Sequence, residues 1–141
     1  MTEHDDLIEI ARTSINPHRV GGRLFGDVAS ALETTTGAIH VGVCIDTGSG
    51  TGFCAEHAAV ASMVTSGEYA IARIVAVWQD DDERLTVLPP CGRCREFIRQ
   101  IDPSNIDATI VLGQGRTAPL RTLLPEWAWP EPEPPRRRDT P

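Results

Sequence analysis

Cys54-Ala55-Glu56, followed further along the chain by Pro90-Cys91-Gly92-Arg93-Cys94, is the pair of stretches that decides how this chain is read. Zinc takes thiolate, imidazole or carboxylate ligands in a tetrahedron, and a catalytic zinc keeps its fourth position for water. Three cysteines with no obvious fourth ligand therefore point to an open site, and Glu56 is left free for proton transfer. Cys-x-x-Cys alone fits a redox pair, half of a structural zinc site or chance. The upstream Cys-x-Glu and the proline before the pair narrow the choice. Cys44 is the one remaining cysteine. As a fourth thiolate it closes the site into a structural one, which leaves Glu56 without a task.

Working outward, residues 54–64 are rich in alanine and apolar on nearly all faces, the pattern of a buried helix with Cys54 in its first turn. Pro89-Pro90 suits a helix entry, so residues 91–101 form a second helix that ends before Pro103. Both cysteine-bearing helices then aim their N-termini at one point, where the dipole favours thiolate over thiol. Between them, residues 71–78 form a β-branched run typical of a strand covered on both faces in a parallel sheet. Residues 79–84 make an acidic surface turn, and residues 85–88 lead into the prolines.

Upstream, residues 5–15 have helical spacing and an acidic start. Residues 16–26 read as a loop because of Gly21, Gly22 and Gly26. Residues 28–32 and 39–45 form a hairpin, and the glycine-rich segment 46–52 is a loop on the substrate side. Downstream, residues 108–112 are the last buried strand, 116–118 a short antiparallel one and 120–124 a brief helix. The expected domain runs from 1 to 129, and residues 130–141, dominated by Pro, Glu and Arg, form a disordered tail.

A chain of 141 residues with 40% hydrophobic content has room for one core. Thirteen basic against twenty acidic residues give a net charge of −7, which disfavours a nucleic-acid partner. No apolar run approaches the ~20 residues of a membrane span, and the N-terminus lacks the features of a signal peptide. A cytoplasmic protein whose cysteines are ligands rather than disulfides is expected.

Cys54-Ala-Glu56 with Pro90-Cys91-Gly-Arg-Cys94 resembles the cytidine deaminase family, in the form of its small homotetrameric branch with Cys as first ligand. The resemblance implies a three-layer α/β/α sandwich with a mixed five-stranded sheet. It also implies one Zn²⁺ per chain on Cys54, Cys91 and Cys94, and Glu56 as the catalytic acid/base for hydrolytic deamination. The Ala55 N–H is expected to contact the pyrimidine O2. Members of this branch usually carry Arg after the catalytic Glu; here His57 stands there and Arg95 follows the last ligand, so either is a candidate to hydrogen-bond a thiolate.

Departures from the family lie on the sugar side. Its Phe-Pro-Val-Gly-Ala segment is replaced by Gly26-Asp-Val-Ala-Ser30, with Phe25 one step early, and its Asn-x-Glu by Cys44-Ile-Asp46. Asp46 can still accept sugar hydroxyls, whereas a thiol is a poor replacement for an amide. Phe25, Cys44, Asp46, Trp127 and Trp129 are therefore the candidate substrate-binding residues beside Ala55. The expected substrate is a small cytosine nucleoside or analogue, such as blasticidin S. The alternatives are deamination of guanine or adenine, and a zinc-stabilised binding module without catalysis.

Overall fold

The computed structural model describes residues 3–130. The tail expected at 130–141 therefore lies, beyond Pro130, outside the described residues. The chain opens with helix α1 (Asp5–Ser14), whose first turn carries Asp5 and Asp6 and whose inner face buries Leu7, Ile8 and Ala11. Acidic side chains at a helix N-terminus complement the unpaired N–H groups there.

Strands β1 (His18–Val20) and β2 (Arg23–Phe25) follow as a small antiparallel hairpin, His18 opposite Phe25. This corrects the loop expected over 16–26. Gly21 and Gly22, at φ +56° and +85°, supply the two left-handed residues that a tight hairpin turn requires. The glycines that argued against regular structure are the turn that makes it.

The main sheet has the order β4-β3-β5-β7-β8, from β3 (Val28–Thr34), β4 (Ile39–Val43), β5 (Ile71–Gln79), β7 (Thr109–Gly113) and β8 (Arg116–Pro119). Only β5 and β7 run parallel, and the mixed α/β architecture expected from the sequence is present. A sixth strand, β6 (Leu85–Leu88), pairs antiparallel with β5 at Ala76 to Gln79, beyond the Arg73 and Ile74 positions that pair with β7. This strand corrects the expectation that residues 85–88 only lead into the prolines. Leu85 and Val87 belong here because they cover the α1 side of the sheet.

Side-chain alternation along the strands builds two cores. Ala31, Val75, Val77 and Val111 face α1, together with Leu7, Ile8 and Ala11. Leu32, Ile74 and Ile110 face the opposite way, against Ala59, Val60 and Met63 of α2 (Ala55–Thr65) and Ile98 of α3 (Gly92–Ile101). Each buried aliphatic contributes about 1.5–3 kcal/mol, and the three-layer arrangement is the way this pattern hides both faces of the sheet. A 3₁₀ turn (Pro103–Asp107) and the short α4 (Leu120–Leu123) complete the fold.

Two details fix the position of the site. Gly42 of β4 faces α2 so closely that a Cβ there would lie 2.4 Å from Ala59 N and 2.5 Å from Ala58 Cβ, so small residues on both elements let the helix settle on the strand. Asn105, fully buried, accepts from Ile71 N–H and donates to the carbonyls of Tyr69 and Ile98, which clips the end of α3 to the start of β5.

Candidate active site

Cys54 and Cys91 occupy equivalent places as the N-cap residues of α2 and α3, each with extended backbone (ψ 160° and 167°). Cys94 lies within the first turn of α3 and is buried. The Cys54 and Cys91 sulfurs are 3.6 Å apart, those of Cys91 and Cys94 3.5 Å apart, and all three lie within 4.8 Å of one another. A tetrahedral site with metal–sulfur bonds of ~2.3 Å separates its sulfurs by about 3.8 Å, so the cluster matches a metal site. Cys44 stands outside it, its thiol donating to Asp27 Oδ1 at 3.3 Å.

Without a cation between them the three sulfurs do not ionise alike. Burial, then the neighbouring Cys91, pushes the Cys54 thiol up, and burial with the negative charge of Glu56 pushes Cys94 far up. Cys91 moves the other way: burial opposes its ionisation, but hydrogen bonds from the backbone and side chain of Cys94, from Cys54 and from the Arg93 backbone outweigh that. Three sulfurs so crowded ionise together only around a cation, and the donor set is one that suits zinc.

Glu56, 6% exposed, is the second residue of α2 and borders a small apolar space shared with Ala76, Leu88 and Pro90. Burial raises its pKa, against a hydrogen bond with Cys94 that lowers it. A carboxyl whose pKa is raised by burial is a stronger proton acceptor than an exposed one.

His57 brings Nδ1 to 3.4 Å from Cys94 Sγ, while its ring stacks on Phe97 and tilts against Phe53. Burial, then the nearby Arg93, lowers its pKa and keeps the imidazole neutral. Arg95 does not turn to the sulfurs: its Nε donates to Pro90 O at 2.7 Å and its Nη1 to Leu123 O at 2.9 Å. Its guanidinium ties the approach to Cys91 to the end of α4, which corrects the expectation of a thiolate partner.

An open cleft of about 470 Å³ runs up to Cys54, lined by Asp27, Cys44, Asp46, Phe53 and Arg93 among others. Ala55 is buried as the first residue of α2. Ile45 and Phe53 exchange backbone hydrogen bonds across the glycine-rich loop. Gly52 is squeezed there, since a Cβ would lie 2.7 Å from Ile45 O. Arg93 Nη1 donates to Gly52 O at 3.1 Å and joins this loop to α3.

The sequence reading missed Asp27, Phe53 and Arg93, although each sits within two positions of a residue it had singled out. Three expected substrate contacts fall elsewhere. Phe25 is paired with His18 in the small hairpin rather than lining the cleft. Trp127 and Trp129 line a separate groove with Arg99, Gln100 and Pro103, Trp127 beneath the Arg99 guanidinium at 5.9 Å and Trp129 79% exposed. The reason is that α4 delivers the chain to the outer face of α3, with Arg99 two turns from the helix end that carries Cys91.

Over 109 residues the chain is 35% identical to the blasticidin-S deaminase of Bacillus cereus, spanning 70% of this chain and 72% of that protein. The cytidine deaminase of Burkholderia pseudomallei superposes with a TM-score of 0.70 at 28% identity, over 89% of this chain and 98% of the other. That of Mycobacterium leprae gives 0.71 at 22% identity, over 89% and 100%, and speaks to the fold alone. No family model matches the chain.

Proposed function

The chain belongs to the cytidine deaminase family, and from that premise we propose that it hydrolyses the C4 amine of a cytosine nucleoside or nucleoside analogue, releasing ammonia. The observation that carries this reading is the buried Glu56 beside a three-sulfur cluster at the end of a cleft. An enzyme of this type accounts for Glu56, which a purely structural metal site does not.

Cys54, Cys91 and Cys94 would hold one zinc ion. Bound there, zinc supplies the Lewis acidity that makes water a nucleophile at neutral pH. Glu56 holds the proton taken from water, delivers one to the ring nitrogen N3 and passes one to the departing amine. Its apolar surroundings exclude bulk water from these transfers. The Ala55 N–H, unpaired within the first turn of α2, is available to the pyrimidine O2. With its proton on Nδ1, His57 would donate to the Cys94 sulfur 3.4 Å away and offset part of the negative charge of three thiolates.

A cytoplasmic homotetramer completes the proposal. Reduced thiols are needed for the metal site, and the cytoplasm keeps them so. Among the described residues no helix is long and apolar enough to cross a membrane. Ile39 and Val41 of the edge strand β4 are exposed and give subunits an apolar face to share.

The test is ammonia release by zinc-loaded protein across cytidine, deoxycytidine, blasticidin S, guanine and adenosine. Turnover of at least one cytosine compound, and none of the purines, is expected. Purine turnover alone would overturn the assignment.

A further inference from the structure

We propose that Asp27, oriented by the thiol of Cys44, is the acceptor that selects the sugar side of the substrate; the inference rests on the nucleoside-deaminase reading above. Sequence alone assigned that task to Asp46, because Asp46 aligns with a sugar-binding carboxylate of the family. In the structure both carboxylates line the cleft that ends at Cys54, but they are held differently. Asp46 is exposed, at the start of the glycine-rich loop. Asp27 is half-buried just before β3, and the Cys44 thiol donates to its Oδ1 at 3.3 Å.

The backbone beneath this pair is also fixed. Cys44 N–H donates to Val28 O at 3.0 Å and Gly26 N–H to Cys44 O at 3.4 Å, so the residues on both sides of Asp27 are tied to Cys44. Gly26 has φ +76° and sits against Asn16, where a Cβ would lie 2.2 Å from the Asn16 carbonyl oxygen, and this tight turn presents Asp27 to the cleft. An acceptor whose geometry is set beforehand loses less freedom on binding than one on a loop.

A thiol that donates to a carboxylate leaves that carboxylate facing the cleft as an acceptor of further donors. The departure at Cys44 therefore gains a role: its thiol orients Asp27 at the wall of the cleft. Burial raises the Cys44 pKa, with Asp27 adding to it, which keeps the thiol protonated and able to donate. Asp27 also borders a larger groove toward Asp80 to Arg84, so a substituent leaving the cleft on this side passes it. Sugars with hydroxyl or amine donors here are held, and those without are rejected.

Equilibrium binding by calorimetry decides this, with the zinc-loaded full chain in a Glu56→Gln background so that ligand is not consumed. Cytidine and 2′,3′-dideoxycytidine are the probes. Asp27→Ala should weaken cytidine about tenfold or more and bring its affinity close to that of the dideoxy compound. Asp46→Ala should do less. Cys44→Ser should bind cytidine within about threefold of the parent, whereas Cys44→Ala should follow Asp27→Ala part of the way.

Unchanged discrimination in a folded, zinc-loaded Asp27→Ala protein, or a larger loss with Asp46→Ala, overturns the assignment of Asp27. Equal binding by Cys44→Ser and Cys44→Ala overturns the positioning role of the thiol. Ammonia release by the wild type is followed in parallel. If it fails for every cytosine compound the functional reading falls, while the binding series still reports whether Asp27 selects the sugar.

Discussion

His57 lies flat on Phe97, ring centroids 4.2 Å apart and planes 11° from parallel, and this stack points Nδ1 at the sulfur of Cys94. A partner that donates to a metal ligand tunes its affinity, typically by 10–100-fold. His57→Ala is therefore expected to weaken zinc retention by about tenfold in competition with a chelator. Phe97→Ala should reproduce part of that loss although Phe97 touches no sulfur. Equal retention in both variants would mean that the imidazole contributes packing only.

Glu56→Gln keeps the shape of the side chain and removes its capacity to carry protons. Turnover should fall by about 10²–10⁴-fold while zinc content stays near one per chain. Activity within a few-fold of wild type would remove Glu56 from the mechanism.

Metal content separates the cysteines into two classes. Alanine at position 54, 91 or 94 should lower zinc well below one per chain and reduce thermal stability, as expected when binding energy is also folding energy. Cys44→Ala should load fully, because its thiol is turned to Asp27. Plasma emission spectroscopy on the four purified variants gives the answer directly.

Asn105 is the polar group on which the fold depends most visibly. Its side chain serves Ile71 N–H and the carbonyls of Tyr69 and Ile98 from a fully buried position. Asn105→Leu strands these groups at roughly 1–3 kcal/mol each, less what water recovers, so a loss of about 2 kcal/mol or more is expected in denaturant titration. A variant as stable as wild type would show that the clip is dispensable.

Acid stability has a local contributor at Asp6. Hydrogen bonds from Arg73 hold its pKa down at about 2, against a usual value of 3.8. A carboxylate with a depressed folded pKa stabilises the protein above its unfolded pKa and loses that contribution as pH falls through the folded one. Asp6→Asn should therefore flatten the decline in melting temperature between about pH 4 and 2, by a modest amount because the pair is solvent-screened.

The metal motif was legible because its chemistry is local. Cys54 and Glu56 are neighbours on one helix turn, Cys91 and Cys94 on another; the alanine-rich run marks the first helix and Pro89-Pro90 the start of the second. What brings the two turns together is the sheet, and its central strand was legible from the β-branched run at 71–78. The cleft was harder to read, because its walls come from segments whose contacts are set by packing. Asp27 and Cys44 are 17 positions apart and meet only through the pairing of β3 with β4. Leu85–Leu88 was passed over for the same reason: four residues carry too little periodicity to announce a strand until β5 offers an edge. Trp127 and Trp129 misled because aromatic character says what a side chain can bind and nothing about which surface it reaches.

Cys54 and Cys91 stand 37 positions apart in sequence and 3.6 Å apart at their sulfurs, and the chain between them contains α2, β5 and β6. A metal ion held by both sulfurs would join those ends into a loop that contains the central strand of the sheet. Closing a loop of this length removes roughly 3–4 kcal/mol of unfolded-chain freedom. With the metal in place the thiols would also act as a clasp on the segment that carries the central strand, so that loss of the metal and loosening of that strand would be coupled.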